Sequence, residues 1–117
     1  MKPLAERDAA ALLDIVGACR AVQAFTKGME KEEVFTDAKT LSAVQHQIAI
    51  LGEAVKRLSP EFRAEHGQVA WRRVAGMRDK LVHDYDNVNP EEVWSVVTVR
   101  VPDLLAKIEP LLPKEEE

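Results

Sequence analysis

Asp37-Ala38-Lys39-Thr40-Leu41-Ser42-Ala43-Val44-Gln45-His46-Gln47-Ile48-Ala49-Ile50-Leu51-Gly52-Glu53-Ala54-Val55-Lys56-Arg57-Leu58 carries apolar residues at Leu41, Val44, Ile48, Leu51, Val55 and Leu58, an unbroken three-four spacing. On a helix that spacing lays all six on one stripe, which predicts an α-helix over residues 37–58 packed lengthwise along another helix. Ala43, Ile50 and Ala54 add apolar surface on a second side. Such a helix either sits in the middle of a bundle or offers its extra face to a partner chain.

Working toward the N-terminus, Thr36 is a candidate N-cap for this helix. Residues 29–35 read as a short charged segment of about one helical turn. Before it, Leu12, Ile15, Val16, Cys19, Val22 and Phe25 step by three and four, and Gly28 supplies a stop, so a first long helix is expected over residues 4–27. Toward the C-terminus, Ser59-Pro60-Glu61 is an N-cap followed by proline at the first helical position, opening a short helix that Gly67 ends. A third long helix is expected from residue 69 or 71 to Tyr85, with Ala70, Trp71, Val74, Met77, Leu81, Val82 and Tyr85 on one face. Asn89-Pro90-Glu91-Glu92 is a further start signal, with Glu at the third position.

That start opens a last helix, expected over residues 90–111. The run Val97-Thr98-Val99-Arg100-Val101 alternates like a strand, but the cap before it and the helical context around it favour helix. Pro102 lacks one backbone donor, so a kink is expected there, with Leu104, Leu105, Ile108 and Leu111 resuming the stripe. These elements make an all-α protein: an antiparallel bundle of four long helices with short connecting ones. Residues 1–112 read as one domain and residues 113–117 as a frayed acidic tail.

The chain has 117 residues, 46% hydrophobic and 31% charged, enough for one buried core. No apolar run approaches the roughly 18 residues a membrane helix needs, and Glu6, Arg7 and Asp8 interrupt any signal-peptide core, so the expectation is a cytoplasmic protein without membrane attachment. The lone cysteine, Cys19, lies among Ile15, Val16 and Val22 and reads as a small core hydrophobe. Net charge is −4, against nucleic-acid binding over a broad surface. Its distribution is uneven: residues 56–83 hold seven basic against three acidic side chains, and the remainder nine against seventeen. Such an excess is either a solvated helix face or a phosphate-facing one.

The basic segment leads into Gly76-Met77-Arg78-Asp79-Lys80-Leu81-Val82-His83-Asp84-Tyr85-Asp86-Asn87-Val88-Asn89-Pro90, which gathers an arginine, a histidine, a tyrosine and several carboxylates. Counted at 100° per residue, Arg78 lies only about 40° from Val74, inside the apolar stripe. A guanidinium there needs a carboxylate, backbone carbonyls or a phosphate to meet it, so it is either a structural ion pair or a ligand-binding cation. His83 points about 140° from Arg78 on a continuous helix, and the two converge only if the helix ends or tightens between them. Asp79, four residues before His83, shares its helical face and could orient the imidazole. His83 could equally be an exposed residue at a helix C-terminus. A metal site is a poor reading: His46 and His66 are isolated, and Asp79 with His83 supplies only two ligands.

The run from Gly76 to Tyr85 resembles the Arg-x4-His-x-Tyr motif of the HepT-like branch of the HEPN superfamily. The resemblance extends through Ile50-Leu51-Gly52-Glu53-Ala54-Val55, Leu58-Ser59-Pro60-Glu61, Trp71, Asn89-Pro90-Glu91-Glu92-Val93-Trp94 and Val101-Pro102-Asp103-Leu104, covering residues 41–108. It implies a HEPN-like fold and a metal-independent endoribonuclease, the toxin of a type VII-like toxin–antitoxin pair, with no cofactor. It also implies a homodimer whose partners are RNA and a minimal nucleotidyltransferase antitoxin. Carried over residue by residue, Arg78 and His83 are catalytic, Asp79 supports His83, and Tyr85 is the hydroxyl to which the antitoxin adds AMP. Lys80, Arg72 and Arg73 are candidate contacts to flanking phosphates. The alternative is a non-catalytic dimeric adaptor for the nucleotidyltransferase, in which Arg78 and His83 are structural.

Overall fold

The three-four stripe of residues 37–58 is realised as one uninterrupted helix at the centre of the molecule. The computed structural model describes residues 4–84 and 87–113. In it, α1 (Glu6–Thr26) is followed by a short α2 (Lys31–Thr36) and the central α3 (Ala38–Arg57). Val44, Ile48, Leu51, Val55 and Leu58 are all buried, and Leu41 is half-buried. The cap of α3 is Asp37 rather than the expected Thr36: its carboxylate accepts from Lys39 N–H and Thr40 Oγ. Those bonds, the Thr40 hydroxyl first, hold the Asp37 carboxyl below its ordinary value.

α1 and α3 run antiparallel. Arg7 near the start of α1 donates to the Arg57 carbonyl at the end of α3 at 2.8 Å, Arg57 pairs with Asp14, and Asp8 receives two hydrogen bonds from Ser59. By length and composition α1 could cross a bilayer, which the expectation from sequence did not allow for. Its apolar stripe, however, is occupied by protein: Leu12, Ile15, Val16, Cys19 and Val22 lie in the core shared with α3. Burial pushes the Cys19 thiol up to about 12, as befits a core side chain.

Beyond α3 the chain makes α4 (Pro60–Glu65), capped by Ser59 Oγ accepting from Phe62 N–H at 3.1 Å. The expected third long helix is replaced by two short ones, α5 (Trp71–Ala75) and α6 (Met77–Leu81), broken at Gly76. The Gly76 N–H still reaches the Arg72 and Val74 carbonyls, but with ψ near 1° Gly76 turns the backbone out of the helical path. Glycine's conformational freedom makes it the weakest point of a helix. After α6 the chain is extended: β1 (Val82–Asp84) pairs antiparallel with β2 (Asn87–Val88), Val82 opposite Val88. This small hairpin is a local departure within an all-α fold.

The last helix spans residues 90–111 as expected, but changes pitch along its length. α7 (Pro90–Ser95) is capped by Asn89, whose side-chain oxygen accepts from Glu91 and Glu92 N–H at 3.0 and 3.3 Å. Residues Val96–Arg100 form a π-helical turn, α8 (Val101–Ile108) follows, and a 3-10 turn (Glu109–Leu111) ends it. Pro102 therefore makes itself felt as a wide turn before it, where a kink at the proline was expected. The Val101 N–H reaches back five residues to the Val96 carbonyl, and the Thr98 hydroxyl donates to the Trp94 carbonyl at 2.7 Å. A π-turn displaces the carbonyls that a proline ring would otherwise strike.

Gly52 decides how the second side of α3 is used. A Cβ there would stand 3.1 Å from the Ala75 carbonyl oxygen, so α5 lies directly on α3. Ala54 is buried and Ile50 packs half-buried on the core. Of the two roles open to α3 in sequence, the mid-bundle one is realised, with α1 on one side and α5 and α6 on the other.

Candidate functional site

Trp71 anchors the segment that leads to the motif. Its indole N–H donates to the His66 carbonyl at 3.0 Å, and its ring stands 6.1 Å from that of Phe62, which in turn stacks on His66 at 4.4 Å. From there Trp71, Val74, Met77 and Leu81 are buried in succession, and Arg72, Arg73, Arg78 and Asp79 are exposed or half-buried. Counting 100° per residue from Val74 placed Arg78 in the apolar stripe. The break at Gly76 resets the helical phase, so α6 buries Met77 and Leu81 and turns Arg78 outward. The reading of Arg78 as a buried ion pair is thereby overturned.

His83 lies on β1, so the helix ends at Leu81, between Arg78 and His83, which is the condition under which the two can converge. Asp79 and His83 consequently do not share a helical face. The side chains of Lys80 and His83, and Tyr85 altogether, lie outside the described residues. The Asn89 N–H donates to the Leu81 carbonyl at 3.4 Å, tying the hairpin's exit to the end of α6. On the far side, Lys31 of α2 pairs with Glu91 of α7. His46 is exposed on α3, and His66 is engaged with Phe62 and Trp71.

Sequence reasoning did not find a cleft of about 350 Å³ between α5 and the π-turn. Val74, Met77 and Leu104 form its apolar floor, and Arg73, Arg100 and Lys107 bring cations to its walls. Its one acid, Asp103, pairs with Lys107 at 3.1 Å. Val99, pushed out by the π-turn, stands on the rim at 62% exposure. Arg72, the neighbour of Arg73, does not line it. The only advance signal was a β-branched run ahead of a proline inside a helical pattern.

The comparison with known families places this all-α chain in an RNA-cleaving class. The profile described as "Ribonuclease HepT-like" matches residues 15–111, and the chain belongs to the HepT-like ribonuclease family. By class the protein is an endoribonuclease. "Probable ribonuclease HepT" of Thermococcus cleftensis is 37% identical over 86% of this chain and 91% of its own length. "Putative RNase TTE0752" of Caldanaerobacter subterraneus subsp. tengcongensis is 36% identical over 87% of this chain and 91% of its own. No solved structure matches the chain.

Proposed function

We propose that the protein is the toxin of a type VII-like toxin–antitoxin pair: a metal-independent endoribonuclease that cleaves RNA with Arg78 and His83 and is silenced by AMP added to Tyr85 by a minimal nucleotidyltransferase. The observation that carries this reading is the family match across residues 15–111, which includes the whole Arg-x4-His-x-Tyr stretch. The outward turn of Arg78 and the helix end at Leu81 support it, since a catalytic cation must be reachable by a phosphate.

The chemistry follows from these residue types. His83 takes the proton of an RNA 2′-hydroxyl, the 2′-oxygen bonds to the adjacent phosphorus, and the bond to the 5′-oxygen breaks as that oxygen receives a proton. The guanidinium of Arg78 meets the charge that gathers on the phosphorane oxygens. Asp79, exposed beside Arg78, and Lys80, Arg72 and Arg73 are proposed supporting and phosphate-contacting groups. A homodimer would bring two copies of Arg78 and His83 to one two-fold axis. AMP on Tyr85 would set an anion in the path of the substrate phosphate. A cytoplasmic location, where RNA is the available substrate, belongs to the same proposal.

Cleavage of single-stranded RNA by the purified chain in excess chelator tests the core of it. Arg78→Ala and His83→Ala should each abolish cleavage, and a mixture of the two should recover part of it if the site is composite. Intact mass after incubation with the nucleotidyltransferase and ATP should gain one AMP, and Tyr85→Phe should not. Cleavage that survives both Arg78→Ala and His83→Ala would refute the assignment.

A further inference from the structure

We propose that the cleft between α5 and the π-turn is a subsite for one nucleotide of the RNA, flanking the bond that is cut. The inference rests on the ribonuclease reading and adds where the substrate lies. Arg73 and Arg100 both line the cleft, one from α5 and one from the π-turn. Because Asp103 is engaged with Lys107, the unbalanced charge of the cleft is that of the two guanidiniums. Neither arginine makes an ion pair among the described residues. Two guanidiniums lining one cleft give it the donors that a phosphate group needs.

The space between them is apolar at its base, and its volume sits at the small end of the roughly 300–1,000 Å³ typical of ligand pockets. That admits one nucleobase rather than a folded peptide element. The floor offers no aromatic ring, so a base would be held by apolar contact, without strong preference among the four. Met77, on the floor, immediately precedes Arg78 on α6, so the subsite and the motif arginine share one short helix. The π-turn creates the site by widening the helix at Val99 and Arg100, and such turns are frequent where helices carry function.

Binding of a short fluorescent single-stranded RNA by the His83→Ala chain, followed by anisotropy across a salt series, provides the test. Arg100→Gln should weaken binding roughly three- to tenfold and reduce the slope of log affinity against log salt by about 0.7, the value for one phosphate on a single strand. Val99→Glu, at an exposed position that does not threaten the fold, should weaken binding at least as much by placing a carboxylate on the rim. RNA carrying 4-thiouridine should crosslink under light to the peptides holding Met77 or Val99. In the chain with intact His83, Arg100→Gln should raise KM more than it lowers kcat. If the His83→Ala chain binds RNA with unchanged affinity and salt slope after both substitutions, the cleft is not a subsite although the ribonuclease reading stands. The subsite is equally refuted if both variants lose only binding of the nucleotidyltransferase. If the unaltered chain neither binds nor cleaves RNA, the subsite falls together with the ribonuclease reading.

Discussion

Asp8→Ala should unfold the protein more readily than any other single removal of an acid on α1. Asp8 is a carboxylate only 5% exposed, and it accepts from the Ser59 backbone N–H at 2.7 Å and from the Ser59 hydroxyl at 2.8 Å. By taking the hydroxyl proton it leaves a lone pair of that oxygen facing the Phe62 N–H, the bond that caps α4. Hydrogen bonds to a charged acceptor contribute about 1.5–3 kcal/mol each, and returning a buried carboxylate's share of desolvation offsets part of the sum. The net cost of Asp8→Ala is therefore about 2–3 kcal/mol, a fall in Tm of roughly 6–15 °C for a chain of this size. Asp8→Asn keeps one acceptor but sets an amide donor against the hydroxyl, which must then reverse, and should cost about 1 kcal/mol. Ser59→Ala removes the cap and the hydroxyl bond together, and the double variant should show a coupling of about 1–2 kcal/mol. Urea denaturation followed by far-ultraviolet circular dichroism measures the parent and all of these variants. An Asp8→Ala chain within about 0.5 kcal/mol of the parent, the scatter of ordinary surface substitutions, would refute this account.

Gly52→Ala sets a Cβ 3.1 Å from the Ala75 carbonyl, which cannot rotate away; an overpacking cost of about 1–3 kcal/mol should outweigh a helix-propensity gain of up to about 1, giving net destabilisation in the same urea assay and lower RNA cleavage as α5 and α6 shift. Asn89→Ala should lose about 1 kcal/mol of thermal stability through the cap of α7, whereas Asn89→Asp should lose much less. The Cys19 thiol should resist a thiol reagent in the folded protein and react once urea unfolds it; because burial raises its folded value to about 12 from 9.0, its contribution to stability is complete below pH 9 and is lost as pH climbs toward 12, a slope that Cys19→Ala should remove. Asp37 titrates below its ordinary value when folded, so its contribution is present above about pH 4 and lost as pH falls through the folded value, and Asp37→Asn should flatten that part of the acid denaturation profile.

Where the sequence sets a proline directly after an N-cap residue, the structure follows it. Ser59-Pro60 and Asn89-Pro90 open helices at the residues expected, because an N-cap side chain and a proline at the next position are local chemistry that needs no tertiary knowledge. The stripe of α3 is legible for the same reason: a period repeated along the whole helix leaves one face to bury. Angular counting fails where the helix is not continuous. Val74 and Arg78 share a direction only on an unbroken helix, and one glycine between them turns Arg78 from the core to solvent. Pro102 announces a missing donor but not whether the chain will bend or widen, since that depends on what α1, packed against this stretch, leaves room for. At the candidate site, Arg78, His83 and Tyr85 are legible only through the resemblance of their spacing to a family motif. The cleft joins Arg73 to Arg100 across two elements and leaves no local trace.

The break at Gly76 and the end of α6 at Leu81 bear directly on how the motif can work. A helix running on from Trp71 through the motif would hold Arg78 and His83 about 140° apart and carry Arg78 into the core. Closing α5 against Gly52 and restarting at Met77 lets Leu81, fully buried, fix the end of α6 while Arg78 and Asp79 stay in solvent. The chain then leaves the helix before His83 and is recaptured at Asn89, whose N–H bonds to the Leu81 carbonyl and whose side chain caps α7. Lys31 holds that cap region to α2 through Glu91. His83 thus lies on a short excursion pinned at both ends by buried apolar side chains, Leu81 before it and Val93 after it, with Arg78 on α6 just ahead of it. This arrangement permits an arginine from a helix and a histidine from extended backbone to meet the same phosphate without the arginine being buried, and so avoids the desolvation that a buried guanidinium would have to overcome.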